Sequence, residues 1–184
     1  MVIMVTEANL NQRVGVFVDV QNLYYSARHL YNTHVHFGNV LKDAVGERQL
    51  VRAFAYVVRA AMPEEQSFFD ALAKAGYEVK IKDIQIFAGG AKKGDWDIGM
   101  AMDAIRLSER LDVVVLVTGD GDFEPLVRYL KETKGCRVEV MAFGRSTSSK
   151  LINEVDGFVD MDGDSKRYLL PRRQTAERPT SNVR

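Results

Sequence analysis

The sequence predicts an α/β domain of three layers, in which helices cover both faces of a mainly parallel sheet. Two continuous apolar runs, at residues 14–20 and 113–117, are rich in β-branched side chains, which is typical of strands buried on both faces. Strand-like and helix-like patterns alternate along most of the chain. This alternation indicates parallel strands joined by right-handed helical crossovers. The 184 residues are enough for one such domain with a full core.

The first half of the chain is predicted to contain three strands and three helices. Strands are expected at residues 14–20, 50–58 and 77–81, and helices at residues 23–31, 37–44 and 63–75. The first helix has apolar residues three and four positions apart, whereas the last strand alternates between polar and apolar residues. Pro63 and the two acids after it suit the first turn of a helix. Gly46 and Gly76 suit the positions just beyond the ends of helices.

The second half of the chain is predicted to repeat the same alternation. Strands are expected at residues 113–117, 137–143 and 157–161, and helices at residues 95–109, 123–134 and 146–153. In the first of these helices, Ile98, Ala101, Met102 and Ile105 have the spacing of an apolar face. Gly135 suits the end of the helix at 123–134.

Composition and charge indicate a globular domain with a basic tail. Hydrophobic residues make up 46% of the chain and charged residues 27%, which excludes a disordered protein. Residues 163–184 carry six Lys or Arg against two acids, whereas the rest carries 19 basic and 23 acidic residues. We therefore expect an N-terminal extension (1–13), a domain (14–162) and a flexible basic tail (163–184). An acidic body does not fit a protein that coats nucleic acid by charge alone.

The lone Cys136 excludes a disulfide framework and a cysteine zinc site. It fits a reducing cytosol, so we expect a cytoplasmic protein. No apolar stretch approaches the length of a membrane span, and residues 1–5 are too short for the apolar core of a signal peptide. We therefore expect no membrane partner.

Carboxylates cluster where predicted strands end or a predicted helix begins. Asp19 ends the first strand, Asp120 and Asp122 follow the fourth, and Asp95 and Asp97 open a helix. Open α/β sheets place their ligands at the carboxyl ends of the strands, where the strand order reverses. A strand order of 3-2-1-4-5 makes the first and fourth strands neighbours at that point. We therefore predict that the three acidic stretches converge on one site.

Converging carboxylates predict a metal-dependent phosphodiester chemistry. Several negative charges in close contact raise one another's pKa and destabilise the fold unless a cation lies among them. Oxygen ligands without His or Cys favour Mg²⁺ or Mn²⁺ over zinc, and such ions activate water for phosphodiester hydrolysis. Most of the acids also have a local explanation, because Asp95 and Asp122 can cap helices and Asp120 lies in a common type of turn. Asp19, inside an apolar run, has to be satisfied or exposed at the strand end.

Three motifs in this order resemble those of the NYN domain, a PIN-like nuclease fold. They are Asp19-Val-Gln-Asn22, Lys93-Gly-Asp-Trp-Asp97 and Thr118-Gly-Asp-Gly-Asp-Phe123. The resemblance extends over residues 14–160 and is strongest to the LabA-like (DUF88) branch. It implies the strand order 3-2-1-4-5. It also implies a metal-dependent ribonuclease whose product carries a 5′-phosphate, although some LabA-like proteins are regulators without established catalysis.

The resemblance also assigns roles to residues. The catalytic set would be Asp19, Asn22, Asp97, Asp120 and Asp122, of which the four aspartates would hold Mg²⁺ or Mn²⁺. Asn22 would hydrogen-bond a metal-bound water or the substrate. The usual family pattern Lys-Gly-Val-Asp is one residue longer here, so Asp95 is the alternative to Asp97. We favour Asp97, because Ile98 and Met102 then continue the apolar face.

Further residues are candidates for substrate binding. Those predicted to contact phosphate are Lys92, Lys93, Arg145, Ser146 and Thr147. The two lysines lie in a segment, 84–93, that is either a strand extension or a mobile loop, and a solvated loop is their alternative explanation. Residues 145–147 open a helix, where ordinary capping is the alternative. Tyr24, Tyr25 and Tyr31 are able to stack on bases, but core packing is the default expectation for them.

The sequence is therefore compatible with two functions. The first is a metal-dependent endoribonuclease with RNA, most simply single-stranded, as its partner. The second is a non-catalytic regulatory module whose acidic cleft binds nucleic acid, a nucleotide or a protein. A homodimer or a regulatory protein partner is also considered, although no sequence feature specifies either.

Overall fold

The computed structural model describes residues 10–59, 65–86 and 92–171, and its centre is a sheet of six parallel strands. These are β1 (Arg13–Asp19), β2 (Gln49–Arg59), β3 (Glu78–Asp83), β6 (Val113–Val117), β7 (Arg137–Ala142) and β8 (Gly157–Asp160). Two short strands, β4 (Gln85–Ile86) and β5 (Lys92–Lys93), pair antiparallel as a separate ribbon. The α-helices of the described chain are α1 (Val20–Tyr31), α2 (Phe37–Val45), α3 (Glu65–Lys74), α4 (Asp97–Leu107), α5 (Glu124–Glu132), α6 (Ser149–Glu154) and α7 (Ser165–Tyr168).

The strand order of the sheet is β3-β2-β1-β6-β7-β8, which is 3-2-1-4-5-6 when only the strands of this sheet are counted. The predicted order is confirmed, and the last strand extends the sheet by one. Val18 of β1 pairs with Ala55 on one side and with Val117 on the other. The carboxyl ends of β1 and β6 are therefore adjacent at the point where the strand order reverses.

Helices cover both faces of the sheet, as predicted. Alternate residues of a strand point to opposite faces, so Val18 packs in one core with Leu23 of α1, while Phe17 packs in the other with Met100 of α4. The first core also receives α2 and α3, and the second receives α5 and α6. β1 and β6 are buried from both sides, which explains their unbroken apolar sequences.

The apolar face predicted for α4 is wrong for two of its four residues. Ala101 and Ile105 pack partly buried against the core, whereas Ile98 and Met102 do not. Ile98 is 78% exposed and Met102 is 60% exposed. The helix instead buries the row Met100, Asp103, Ala104 and Leu107. Both rows have helical spacing, and the buried one contains an aspartate, so spacing alone favours the wrong row.

Residues 163–171, predicted to belong to a flexible tail, pack on the body instead. The Arg167 guanidinium pairs with the Asp43 carboxylate of α2, with nitrogen–oxygen distances of 2.5 and 2.6 Å. Tyr168 is buried, and its hydroxyl donates to Asp43 Oδ2 at 2.8 Å. A composition rich in polar residues conceals this contact, because one buried aromatic ring and one ion pair are enough to anchor the segment.

Some predictions fall outside the described residues. They concern the N-terminal extension up to residue 9, the start of the helix predicted at 63–75, the segment 87–91 and the basic tail beyond residue 171. Within the described ranges, no helix has the length and apolar character needed to cross a membrane.

Candidate functional site

A cavity of about 220 Å³ lies at the carboxyl ends of β1 and β6. Its lining consists of Asp19, Gln21, Asn22, Tyr25, Tyr56, Val58, Asp95, Trp96, Asp97 and Asp120. The cavity occupies the reversal point of the strand order, where α/β sheets of this kind bind ligands. Four of its lining residues are aspartates that come from three separate stretches of the chain.

Asp19 joins the end of β1 to the start of α1. Its Oδ1 caps the helix by accepting the Asn22 N–H at 3.0 Å, and its Oδ2 accepts the Thr118 hydroxyl at 3.3 Å. Burial raises the pKa of Asp19 to about 6, and the negative charges of Asp97 and Asp120 add to the rise. The two hydrogen bonds favour the ionised form and offset only part of this effect. Asp19 is thus a carboxylate whose charge is poorly stabilised by the chain alone.

The turn after β6 is tied to the start of α1. The Gly119 N–H donates to Asn22 Oδ1 at 2.9 Å, and the Asp120 N–H donates to Thr118 Oγ1 at 3.2 Å. The Asp122 N–H donates to Asp120 Oδ1 at 2.9 Å. These bonds place Asp120 in the cavity wall, while the exposed Asp122 lies beside the cavity and is not part of its lining.

The glycines of this turn are required by close packing. A Cβ on Gly119 would lie 3.0 Å from Ser146 O and 3.0 Å from Thr147 Oγ1, and one on Gly121 would lie 2.6 Å from Ser148 Oγ. The Ser148 N–H also donates to Gly119 O at 2.9 Å. The segment that follows β7 therefore supports the acidic turn from behind.

The acids at the start of α4 face the same cavity. Asp97 is the first residue of the helix, and burial raises its pKa, with further increases from the charges of Asp95, Asp120 and Asp122. Asp95 and Asp97 both line the cavity. The coupling of Asp97 to both acids of the β6 turn supports the choice of Asp97. The apolar-face reasoning used for that choice does not, because Ile98 is exposed.

The acids form an open cavity and do not form a closed coordination sphere. Among the residues that the structure describes, no three His, Cys, Asp or Glu side chains are grouped so that they could hold one metal ion. The chemistry of the acids nevertheless fits Mg²⁺, which requires oxygen ligands, keeps several of its waters and is commonly bound by only one or two carboxylates.

An aromatic wall faces the acids. The Trp96 indole N–H donates to Val57 O at 2.9 Å, and its ring lies 5.4 Å from the Tyr56 ring. The Tyr56 hydroxyl donates to Asp103 Oδ2 at 2.9 Å, and the buried Asp103 is also paired with Lys80. This network orients Tyr56, which the sequence analysis missed. Its position near the end of β2, next to β1, was the available signal.

The predicted phosphate-binding residues after β7 lie outside the cavity lining. The Arg145 guanidinium pairs with Asp162 at 3.2 Å and lies 4.9 Å from the centre of the Tyr31 ring. Ser146 donates its hydroxyl to Phe143 O at 3.2 Å and lies 2.9 Å from Ser26 Oγ. Thr147 donates to Phe143 O at 2.7 Å. The structure therefore uses Ser146 and Thr147 within the fold, where they pack against Gly119 of the acidic turn, and neither they nor Arg145 line the cavity.

One described lysine lies at the rim of the cavity. Lys92 and Lys93 form β5, which ends two residues before Asp95, but their side chains lie outside what the structure describes. Lys82, which the sequence analysis did not consider, donates its Nζ to Asp95 O at 3.0 Å and lies over the Trp96 ring. A positive charge therefore adjoins the acidic rim.

Fold and site together define an α/β domain of the PIN-like class, with an acidic cavity at the reversal point of its sheet. The model of the NYN domain family matches residues 13–162, and the chain belongs to this family. The resemblance predicted from the three motifs is confirmed. Membership in this nuclease-related family supports a nuclease-type or a regulatory role.

Two relatives extend the comparison beyond the family model. The chain is 26% identical over 182 residues to the low amplitude and bright protein LabA of Synechococcus elongatus, a match that covers 91% of this chain and 90% of LabA. It is also similar to the crystal structure of a protein of unknown function from Vibrio parahaemolyticus. That match has a TM-score of 0.81 and 34% identity, and it covers 90% of this chain and all of the other.

Proposed function

We propose that this protein is a metal-dependent endoribonuclease that hydrolyses phosphodiester bonds at the acidic cavity. The observation that carries the proposal is the joint presence of Asp19, Asp97 and Asp120 in one cavity of an NYN domain. The raised pKa values of Asp19 and Asp97 support it, because they reflect burial first and, in addition, the negative charge of neighbouring aspartates.

In this proposal Asp19, Asp97 and Asp120 would hold Mg²⁺ or Mn²⁺, one or two of them directly and the others through waters that the ion keeps, with Asp122 beside them. The ion would lower the pKa of a water molecule and offset the charge of the phosphate. The chain contributes the orientation of these groups. The oxygen of Asn22 is fixed by Gly119, which leaves the amide N–H groups of Asn22 as donors for a substrate oxygen. Asp19 binds a proton below about pH 6 when no cation is present, so metal binding in that range should release protons.

The test is cleavage of an end-labelled single-stranded RNA in Mn²⁺, Mg²⁺ or EDTA. Asp120→Asn and Asp97→Asn should lose metal-dependent cleavage, because each removes a negative ligand without changing the shape of the site. Asp95→Asn, run beside them, identifies which acid of the α4 start holds the ion. Asp70→Asn is the matched control, since this exposed aspartate on α3 does not line the cavity. Cleavage that persists in EDTA or in Asp120→Asn contradicts the proposal.

A second candidate is a regulatory module that binds nucleic acid or a protein partner without catalysis. Two observations favour it, namely the missing three-residue ligand group within the described residues and the similarity to LabA. This candidate predicts that the wild type binds nucleic acid or its protein partner in EDTA and cleaves no RNA in Mn²⁺ or Mg²⁺.

A further inference from the structure

Two neighbouring tyrosines of α1 are exposed beside the acidic cavity. Tyr25 is 61% exposed and Tyr24 is 41% exposed, because α1 turns Leu23, Ser26 and Ala27 toward the core. Core packing, the default expectation for these tyrosines, is therefore wrong for both. Their exposure needs an explanation other than stability.

The position and geometry of the pair suggest a ligand. Tyr25 is part of the lining that also contains Asp19 and Asp97. Its ring lies 5.6 Å from that of Tyr24 at an angle of 74°, so the two rings support each other edge to face. On the far side, Tyr24 lies 6.0 Å from the ring of His34. An aromatic surface thus extends from the acids outward across α1.

The size of the cavity and the charge of the body restrict what this surface would bind. A volume of about 220 Å³ is below the ~300–1,000 Å³ of pockets that enclose a whole small ligand, which suits one segment of a polymer. Residues outside the basic tail carry more acids than bases, so attraction to phosphates is weak and other contacts have to supply affinity. Aromatic rings supply it by stacking on unpaired bases, whose faces are hidden inside a duplex.

We propose that Tyr25, braced by Tyr24, is the base-stacking platform of this site and selects single-stranded nucleic acid. The proposal rests on the proposed function, because it places an unpaired base next to the phosphate that the acids would process. Tyr25 is a positioning residue in this scheme and takes no part in bond cleavage.

The test is the affinity of the full chain for a fluorescent single-stranded RNA and for the same sequence as a duplex, measured in EDTA so that no cleavage occurs. Tyr25→Ala should weaken single-strand binding by roughly 5- to 150-fold, the range seen when a stacking ring is removed. Tyr25→Phe should bind as the wild type does, since it keeps the ring. The salt dependence of binding should stay the same in Tyr25→Ala, because stacking releases no counterions.

Tyr129→Ala is the matched control. Tyr129 is 39% exposed and lies in the last turn of α5, away from the cavity lining. Tyr129→Ala should bind RNA as the wild type does. Tyr25→Ala and Tyr129→Ala should both have the melting temperature of the wild type, since substitutions of exposed residues change stability little. Equal affinity of Tyr25→Ala and the wild type overturns the proposal. An equal loss of affinity in Tyr25→Phe also overturns it, because it would indicate a contact through the hydroxyl. Binding of the wild type only to the duplex, or to no RNA, overturns it as well and would leave a protein contact as the explanation of the exposed rings.

Failure of the platform and failure of the enzyme are distinguishable. If the wild type cleaves RNA in a metal-dependent way and Tyr25→Ala binds single-stranded RNA as tightly as the wild type, the nuclease proposal stands and the stacking proposal is rejected. If binding of single-stranded RNA depends on the Tyr25 ring and neither metal supports cleavage, the stacking proposal stands and the nuclease proposal is rejected.

Discussion

Replacing Asp19 by Asn should stabilise the protein at neutral pH when no metal is present. The carboxylate is buried near Asp97 and Asp120, and its pKa is raised to about 6. The folded chain therefore binds this proton more tightly than the unfolded chain does. As the pH rises from about 4 to about 6, ionisation of Asp19 increasingly lowers the free energy of unfolding, and the full loss is present above pH 6.

The size of the effect follows from the two pKa values. The difference between about 6 in the folded chain and the ordinary value of 3.8 corresponds to a loss of about 3 kcal/mol at pH 7.5. Asn keeps an oxygen that caps α1, but its amide NH2 replaces the oxygen that accepts the Thr118 hydroxyl, at a cost of about 1 kcal/mol. The net gain should be about 1–2 kcal/mol, or roughly 2–8 °C in melting temperature.

The assay is thermal unfolding followed by circular dichroism in EDTA at pH 7.5 and at pH 4.5. Asp19→Asn should melt above the wild type at pH 7.5 and should lose that advantage at pH 4.5, where Asp19 is protonated. Asp70→Asn, a change at an exposed carboxylate, should follow the wild type at both pH values. An Asp19→Asn variant that melts at or below the wild type at pH 7.5 would refute the reasoning.

Three further predictions use the same measurement. Millimolar Mn²⁺ should raise the melting temperature of the wild type by relieving carboxylate repulsion, and Asp120→Asn should abolish the rise. Asp43→Asn should cost about 1 kcal/mol at pH 7. Arg167 lowers the pKa of Asp43, so this difference should disappear as the pH falls below the ordinary range of a carboxyl. Gly121→Ala should cost roughly 1–3 kcal/mol through its contact with Ser148 Oγ, and adding Ser148→Gly should restore most of the loss.

The strand order and the convergence of the acids were predictable because they depend on features that one-dimensional patterns record well. β1 and β6 are unbroken apolar runs, and polar residues follow each at a defined strand end. Once the strands are parallel, their carboxyl ends must meet at one edge, so Asp19 and Asp120 were brought together by topology. No side-chain detail was needed for that inference.

The errors arose where burial was decided by a specific partner. Asp103 is buried on α4 because Tyr56 and Lys80 satisfy it, and no periodicity rule anticipates a buried aspartate. The predicted buried face of α4 was therefore rotated about the helix axis relative to the observed one, which placed the exposed Met102 in the core. Tyr168 is an error of the opposite kind, because the composition around it predicts a flexible tail. The segment is nevertheless held on the body by the buried Tyr168 ring, whose hydroxyl donates to the carboxylate of Asp43.

The local and the functional explanations of the site aspartates turn out to be compatible. Asp120 accepts the Asp122 N–H, as predicted for its turn, whereas the caps predicted from Asp95 and Asp122 do not form and the cap from Asp19 on α1 was not predicted. The carboxylates of Asp19 and Asp120 also line the cavity. A carboxylate has two oxygens and about four lone pairs, so one backbone bond leaves capacity for a cation. The capping bond also fixes the direction of the carboxylate before any ligand arrives, which reduces the ordering that binding requires. Capping is therefore the means by which this fold orients Asp19 and Asp120 toward the cavity.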